Sequence, residues 1–76
     1  MTKACILVYC ESGRFTDSLK KIRRMRGVRS AFPALGKCDG VVLVEAEDIQ
    51  ELSRISLGIN AAPGVAATET LIGLEE

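Results

Sequence analysis

Short apolar runs alternate along the chain with polar, glycine-containing breaks, and the spacing inside each run predicts its element. Lys3 to Cys10 is continuous, β-rich and apolar, which predicts a buried strand. Glu11-Ser12-Gly13 supplies a turn signal. Phe15, Leu19, Ile22 and Met25 then recur at steps of four, three and three, the spacing of one helical face. Gly27 stands where a helix C-terminal glycine belongs, and basic residues fill the last turns, facing the negative end of the helix dipole. Val28 to Leu35 reads as a second strand. Pro33 places it at a sheet edge, because proline cannot donate to a ladder. Gly36-Lys37-Cys38-Asp39 has hairpin chemistry, and Gly40 to Val44 is a second all-apolar strand. Glu45 to Asp48 predicts a helix start with acidic residues at its positive end, and Ile49, Leu52, Ile55 and Ile59 form its apolar stripe. Gly58 weakens that helix, and Asn60 to Gly64, containing Pro63, ends it. Val65 to Leu74 is the last strand, polar in the middle at Thr68-Glu69-Thr70, and Glu75-Glu76 is a frayed tail.

Strand, helix, strand, strand, helix, strand with short links predicts an α+β, ferredoxin-like βαββαβ fold. Its four-stranded antiparallel sheet carries both helices on one face. The first and third strands are central in that arrangement, matching the two all-apolar segments, and the second is an edge, matching Pro33.

Alternation along the central strands changes the picture. Ala4, Ile6, Val8 and Cys10 point one way while Cys5, Leu7 and Tyr9 point the other, and Val41 and Leu43 likewise oppose Val42 and Val44. Two helices cover one face of such a sheet, so the other face exposes an aliphatic patch that a soluble monomer rarely tolerates. A second copy, docked by two-fold self-association, is the expected cover.

With 76 residues there is one domain and one modest core, and a chain 47% apolar but only 4% aromatic must build that core from Val, Ile, Leu and Ala. Ten basic residues balance ten acidic ones, so no overall field attracts nucleic acid or an anionic membrane. The apolar run after Lys3 is far shorter than the ~20 residues that span a bilayer. Cys5, Cys10 and Cys38 are odd in number and lack paired spacing, which predicts reduced thiols and a cytoplasmic location.

Catalytic constellations are scarce. The chain has no His, so neither a Ser-His-Asp nor a Cys-His arrangement exists, and no enzyme activity, metal or cofactor is expected. Cys5 and Cys10 face opposite sides of one strand, and Cys38, the most exposed thiol by its place in the turn, reads as an incidental turn residue. Lys20, Lys21, Arg23, Arg24, Arg26 and Arg29 hold six of the ten positive charges. With zero net charge and no interleaved aromatics, they read first as a solvated face. Contact with the acidic second helix (Glu45, Glu47, Asp48, Glu51) of a neighbouring subunit comes second and nucleic acid last. The 36–39 turn and Thr68-Glu69-Thr70 are open to two readings: plain hairpin and edge-strand polarity, or a backbone, carboxylate and hydroxyl set able to hold an amino acid.

Val28 through Gly36, Asp39 and Val44, then Pro63-Gly64-Val65 and Thr68-Glu69-Thr70-Leu71-Ile72, resemble the ligand-binding module of the Lrp/AsnC family, the RAM domain (regulation of amino acid metabolism). The G-x-x-D turn entering an apolar strand and the Pro-Gly-Val leading to T-x-T carry the resemblance over nearly the whole chain. Full-length members carry an N-terminal helix-turn-helix domain. This chain begins at its first strand, so it resembles the stand-alone RAM proteins, a single domain over 1–76 with no direct binding of nucleic acid. The resemblance implies homodimers with facing sheets (a dimeric α+β barrel) and rings of such dimers. It also implies an amino acid effector held between dimers, and co-assembly with full-length Lrp/AsnC regulators. Gly36 and Asp39 carry over as ligand residues, Asp39 for the ammonium group, and Thr68 and Thr70 as further contacts. Gly40, Gly73 and Cys38 depart from the family pattern. A ligand-free structural partner, an ACT-like regulatory domain of a metabolic enzyme (echoed in Ser12-Gly13) and a small dimeric α+β barrel enzyme are the other readings.

Overall fold

A computed structural model describes residues 1–11 and 15–74. The elements run β1 (Thr2–Cys10), α1 (Phe15–Ile22), β2 (Val28–Pro33), β3 (Gly40–Ala46), α2 (Ile49–Asn60) and β4 (Val65–Ile72). The strands form one antiparallel sheet in the order β2-β3-β1-β4, the ferredoxin-like arrangement with the two all-apolar segments at its centre. Pro33 lies in the edge strand β2, as its missing N–H requires. Ser12, Gly13 and Arg14, with the turn and ACT-like echo read there, and the Glu75-Glu76 tail lie outside the described residues.

One face of the sheet makes the core. Ala4, Ile6 and Val8 of β1, Val42, Val44 and Ala46 of β3 and Ala31 of β2 pack against Phe15, Leu19 and Ile22 of α1 and Leu52 and Ile59 of α2. The buried Ser18 hydroxyl donates to the Pro63 carbonyl, tying α1 to the link before β4. Gly40 explains its own departure from the family pattern. A Cβ there would stand 2.1 Å from the Phe15 ring, so the glycine is what lets α1 lie down on β3. At Gly73 the constraint is backbone, since a Cβ would sit 3.1 Å from the Lys3 carbonyl oxygen.

Several boundaries differ from the sequence reading. Helix α1 ends at Ile22, and Arg24 and Met25 donate to the carbonyls three residues back, Lys21 and Ile22. This tightened turn carries Met25 outside the helix, where it still packs against the core. Gly27 adopts φ +91° in that turn, so it aims the chain into β2 and does not cap α1 directly. Glu45 and Ala46 extend β3 because β1 offers Lys3 and Thr2 as ladder partners. The second helix therefore starts later, with Asp48 as its N-cap. Ile49, expected in the apolar stripe, is 54% exposed, while Leu52 and Ile59 are buried and Ile55 packs against the core. The outer strands stop at Pro33 and Ile72, short of Leu35 and Leu74. Cys38 is half-buried, like Cys5 and Cys10, and so is not set apart by exposure.

Candidate functional site

The sheet end where β1 stops gathers most of the candidate residues. The 36–39 turn folds back onto it. Asp39 N–H donates to the Val8 carbonyl at 2.9 Å, and Ala34 N–H donates to the Asp39 carbonyl at 3.0 Å, closing the hairpin. The Asp39 carboxylate accepts the Cys10 N–H at 2.8 Å through Oδ2. Its Oδ1 has no hydrogen bond with a described residue, so an exposed anion is left with one oxygen free for a ligand cation. Gly36 is exposed with φ +121°, and a Cβ there would meet nothing within 4 Å. Conformation, and not crowding, selects glycine at that position.

Thr68 and Thr70 arrive differently. Val8 pairs with both Gly40 and Thr68, so the turn and Thr68 reach the same end of the sheet, two strand spacings apart, about 10 Å. Their side chains, however, share the face of Val8 and Ile6, toward the helices. Thr70 Oγ1 and Ser56 Oγ of α2 are 2.6 Å apart, and Thr68 Oγ1 donates to Asn60 Oδ1 at 3.3 Å. The threonines thus fasten β4 to α2, and the sheet stands between them and the open face.

On the open face a group not singled out from the sequence lies beside the turn. Tyr9 donates a long 3.4 Å hydrogen bond to Glu69 Oε1. Partial burial, the Glu69 charge and the nearby Cys38 push the Tyr9 hydroxyl above its ordinary value, so it stays a protonated donor. The signal was present in the sequence: residues 68–70 alternate, so Glu69 must face away from Thr68 and Thr70. Cys10 lies on the helix side, packed against the core. Burial, and next the Asp39 carboxylate, push its thiol up against a smaller opposing hydrogen bond to Ser18, which keeps it inert as a nucleophile.

Some of the remaining charges are engaged within the chain. Arg23 forks onto the Ala31 carbonyl of the edge strand at 3.1 and 2.9 Å, and Arg29 meets Glu45 at 3.3 Å. Asp48 accepts the Glu51 N–H at 2.8 Å while Glu51 Oε1 accepts the Glu47 N–H at 3.0 Å, a reciprocal cap on α2. Among the described residues no three metal-ligating side chains come together, and no helix is long and apolar enough to cross a membrane.

The model of the Lrp/AsnC ligand binding domain matches residues 3–76. Homocitrate synthase of Sulfolobus acidocaldarius is 38% identical over 74 residues, which is 96% of this chain but 16% of that enzyme's length. Among solved structures, TTHA0845 from Thermus thermophilus superposes with a TM-score of 0.92 at 28% identity, covering 100% of this chain and 96% of that one. The transcriptional regulator NMB0573 of Neisseria meningitidis, solved as its L-Met complex, shares the fold at a TM-score of 0.87 and 22% identity, covering 99% of this chain and 51% of the regulator.

Proposed function

The chain belongs to the Lrp/AsnC ligand binding domain family, a family of regulatory effector-binding modules, and from that premise we propose that it binds an amino acid without catalysing a reaction on it. The match over residues 3–76 carries the reading, and in this proposal the ligand sits at the 36–39 turn. Asp39 Oδ1 takes the ammonium group, and the exposed backbone at Gly36 lies open to the carboxylate. Tyr9 and Glu69 lie at the same end and give a further donor and acceptor. Thr68 and Thr70 are further contacts in this proposal for a part of the ligand that passes the β4 edge to the helix side, where each hydroxyl keeps lone-pair capacity after its bond to α2. The complex of NMB0573 with L-Met supports an amino acid as the ligand class.

A second copy completes the assembly in this proposal. On the open face Phe32, Leu43 and Leu71 are 43%, 41% and 50% exposed around half-buried Cys5, Leu7 and Val41, a contiguous apolar surface that a two-fold partner would cover. Dimers of this kind then associate further or co-assemble with full-length regulators.

Titration calorimetry against the twenty amino acids tests the sensor reading. At least one should bind at millimolar concentration, and Asp39→Ala should weaken it by about 1.5–3 kcal/mol, ten-fold or more. No heat with any of them removes the sensor and leaves a purely structural partner. The likeness to homocitrate synthase favours a second reading, a regulatory domain that acts on a metabolic enzyme. Effector-dependent inhibition of a homocitrate synthase by the added chain would favour it over action on transcriptional regulators.

A further inference from the structure

We infer that the cleft between the 23–27 turn and α2 binds a small carboxylate with a short aliphatic body. The cleft is shallow and open, with a volume of about 530 Å³, and is lined by Met25, Arg26, Glu51, Arg54, Ile55 and Gly58. That volume lies within the range of small-molecule sites. Its floor, Met25 and Ile55, packs against the helix side of the core, away from the 36–39 turn and from the open face. The inference therefore stands whether or not the amino acid site does.

The rim decides the charge of the ligand. Neither Arg26 nor Arg54 has a hydrogen bond or ion pair among the described residues, and both side chains are exposed. Glu51, whose Oε1 accepts the Glu47 N–H at 3.0 Å in the α2 cap, offsets one of the two charges, so the rim keeps a net positive charge. Two planar guanidinium groups over an apolar floor match a carboxylate head, which one Arg grips bidentately, and an aliphatic tail laid on Met25 and Ile55. The neighbouring cleft of about 300 Å³ differs: Glu45, Glu47 and Glu51 all line it beside Arg26 and Arg29, and Arg29 pairs with Glu45 at 3.3 Å, so its lining is more acidic.

Gly58 decides the shape. A glycine inside a helix costs about 1 kcal/mol relative to alanine. Packing does not demand it here, since a Cβ would meet only Met25 Sδ at 3.9 Å, an ordinary contact. Its φ is not positive either. What the bare position does is leave the cleft floor open to a ligand.

Two-dimensional amide NMR of the full chain, titrated with 4-methylpentanoate, reads the site directly. Saturable shifts are expected at the Met25, Arg26, Ile55 and Gly58 amides, with a Kd of about 1 mM or tighter. The neutral isostere 4-methylpentanamide should bind at least ten-fold more weakly, the worth of one charge-assisted hydrogen bond of about 1.5 kcal/mol. Arg54→Gln, at an exposed position, should weaken the carboxylate about ten-fold by the same measure. Gly58→Leu, checked for fold by circular dichroism, should abolish the shifts by filling the floor. Absent shifts at these amides, equal binding of the amide, or unchanged affinity in Arg54→Gln would each overturn the inference. The Arg54 variant keeps the test decisive should the Gly58 variant not fold.

Discussion

A Cβ built on Gly40 meets three atoms of the Phe15 ring at 2.1 to 2.6 Å, so a single methyl decides how closely α1 approaches the sheet. Gly40→Ala should cost about 1–3 kcal/mol of overpacking. Thermal denaturation should register it as a Tm lower by roughly 4–8 °C per kcal/mol. Phe15→Leu in that background should recover part of the loss. Tyr9 permits a second measurement, because it is the chain's single tyrosine. Its absorbance titration should have a midpoint above 10.0, raised by partial burial and then by the Glu69 charge, and Glu69→Gln should lower that midpoint. The sign follows from the neutral form being favoured in the folded state. The associated stability is complete below the unfolded pKa and is lost as pH rises through the folded one. The sequence showed which face Tyr9 and Glu69 share, but not their contact, and it did not show the role of Gly40. Gly40 looked like an exception until the Phe15 ring was seen against it, a contact between residues 25 positions apart.

Within the elements, the second helix separates what periodicity reveals from what pairing decides. Its capping chemistry was readable as a cluster of acids, but the four residues 45–48 do different jobs. Glu45 and Ala46 are strand because β1 is long enough to pair with them, and Asp48 alone supplies the N-cap. Asp48→Ala should cost about 1 kcal/mol in urea denaturation, the usual worth of such a cap. Glu47→Ala should cost less, since its backbone N–H, which survives the change, is what Glu51 engages. The same competition moved the end of α1, where i→i−3 bonds turn the chain before the apolar spacing runs out at Met25.

For the whole molecule, the unpartnered sheet face is the dominant feature. Leu43 lies near its centre, paired with Cys5 on one side and Ser30 on the other. Light scattering should give the wild-type chain at least twice its sequence mass. Leu43→Asp should return it to the monomer mass by placing a desolvated charge in the proposed interface. A wild-type chain at monomer mass would sink the proposed dimer. The helix side buries most of its apolar residues in the core, and Ile49 and Leu57 of α2 are the exposed exceptions.

Strand order, the two central strands, the edge position of Pro33 and the existence of the open face all follow from local pattern. Period and proline chemistry act over a few residues, and a sequence displays them directly. The 36–39 turn was legible for the same reason, as Gly and Asp at turn spacing. What tertiary structure alone decided depends on residues far apart in the chain. It turned Thr68 and Thr70 toward Asn60 and Ser56 of α2 while leaving Glu69 with Tyr9 on the other face. It also set two arginines, 28 positions apart, on the rim of one cleft. Alternation sorts side chains into two faces, but only the packing of a helix on one of them determines which hydroxyls are engaged and which charges are left to meet a ligand.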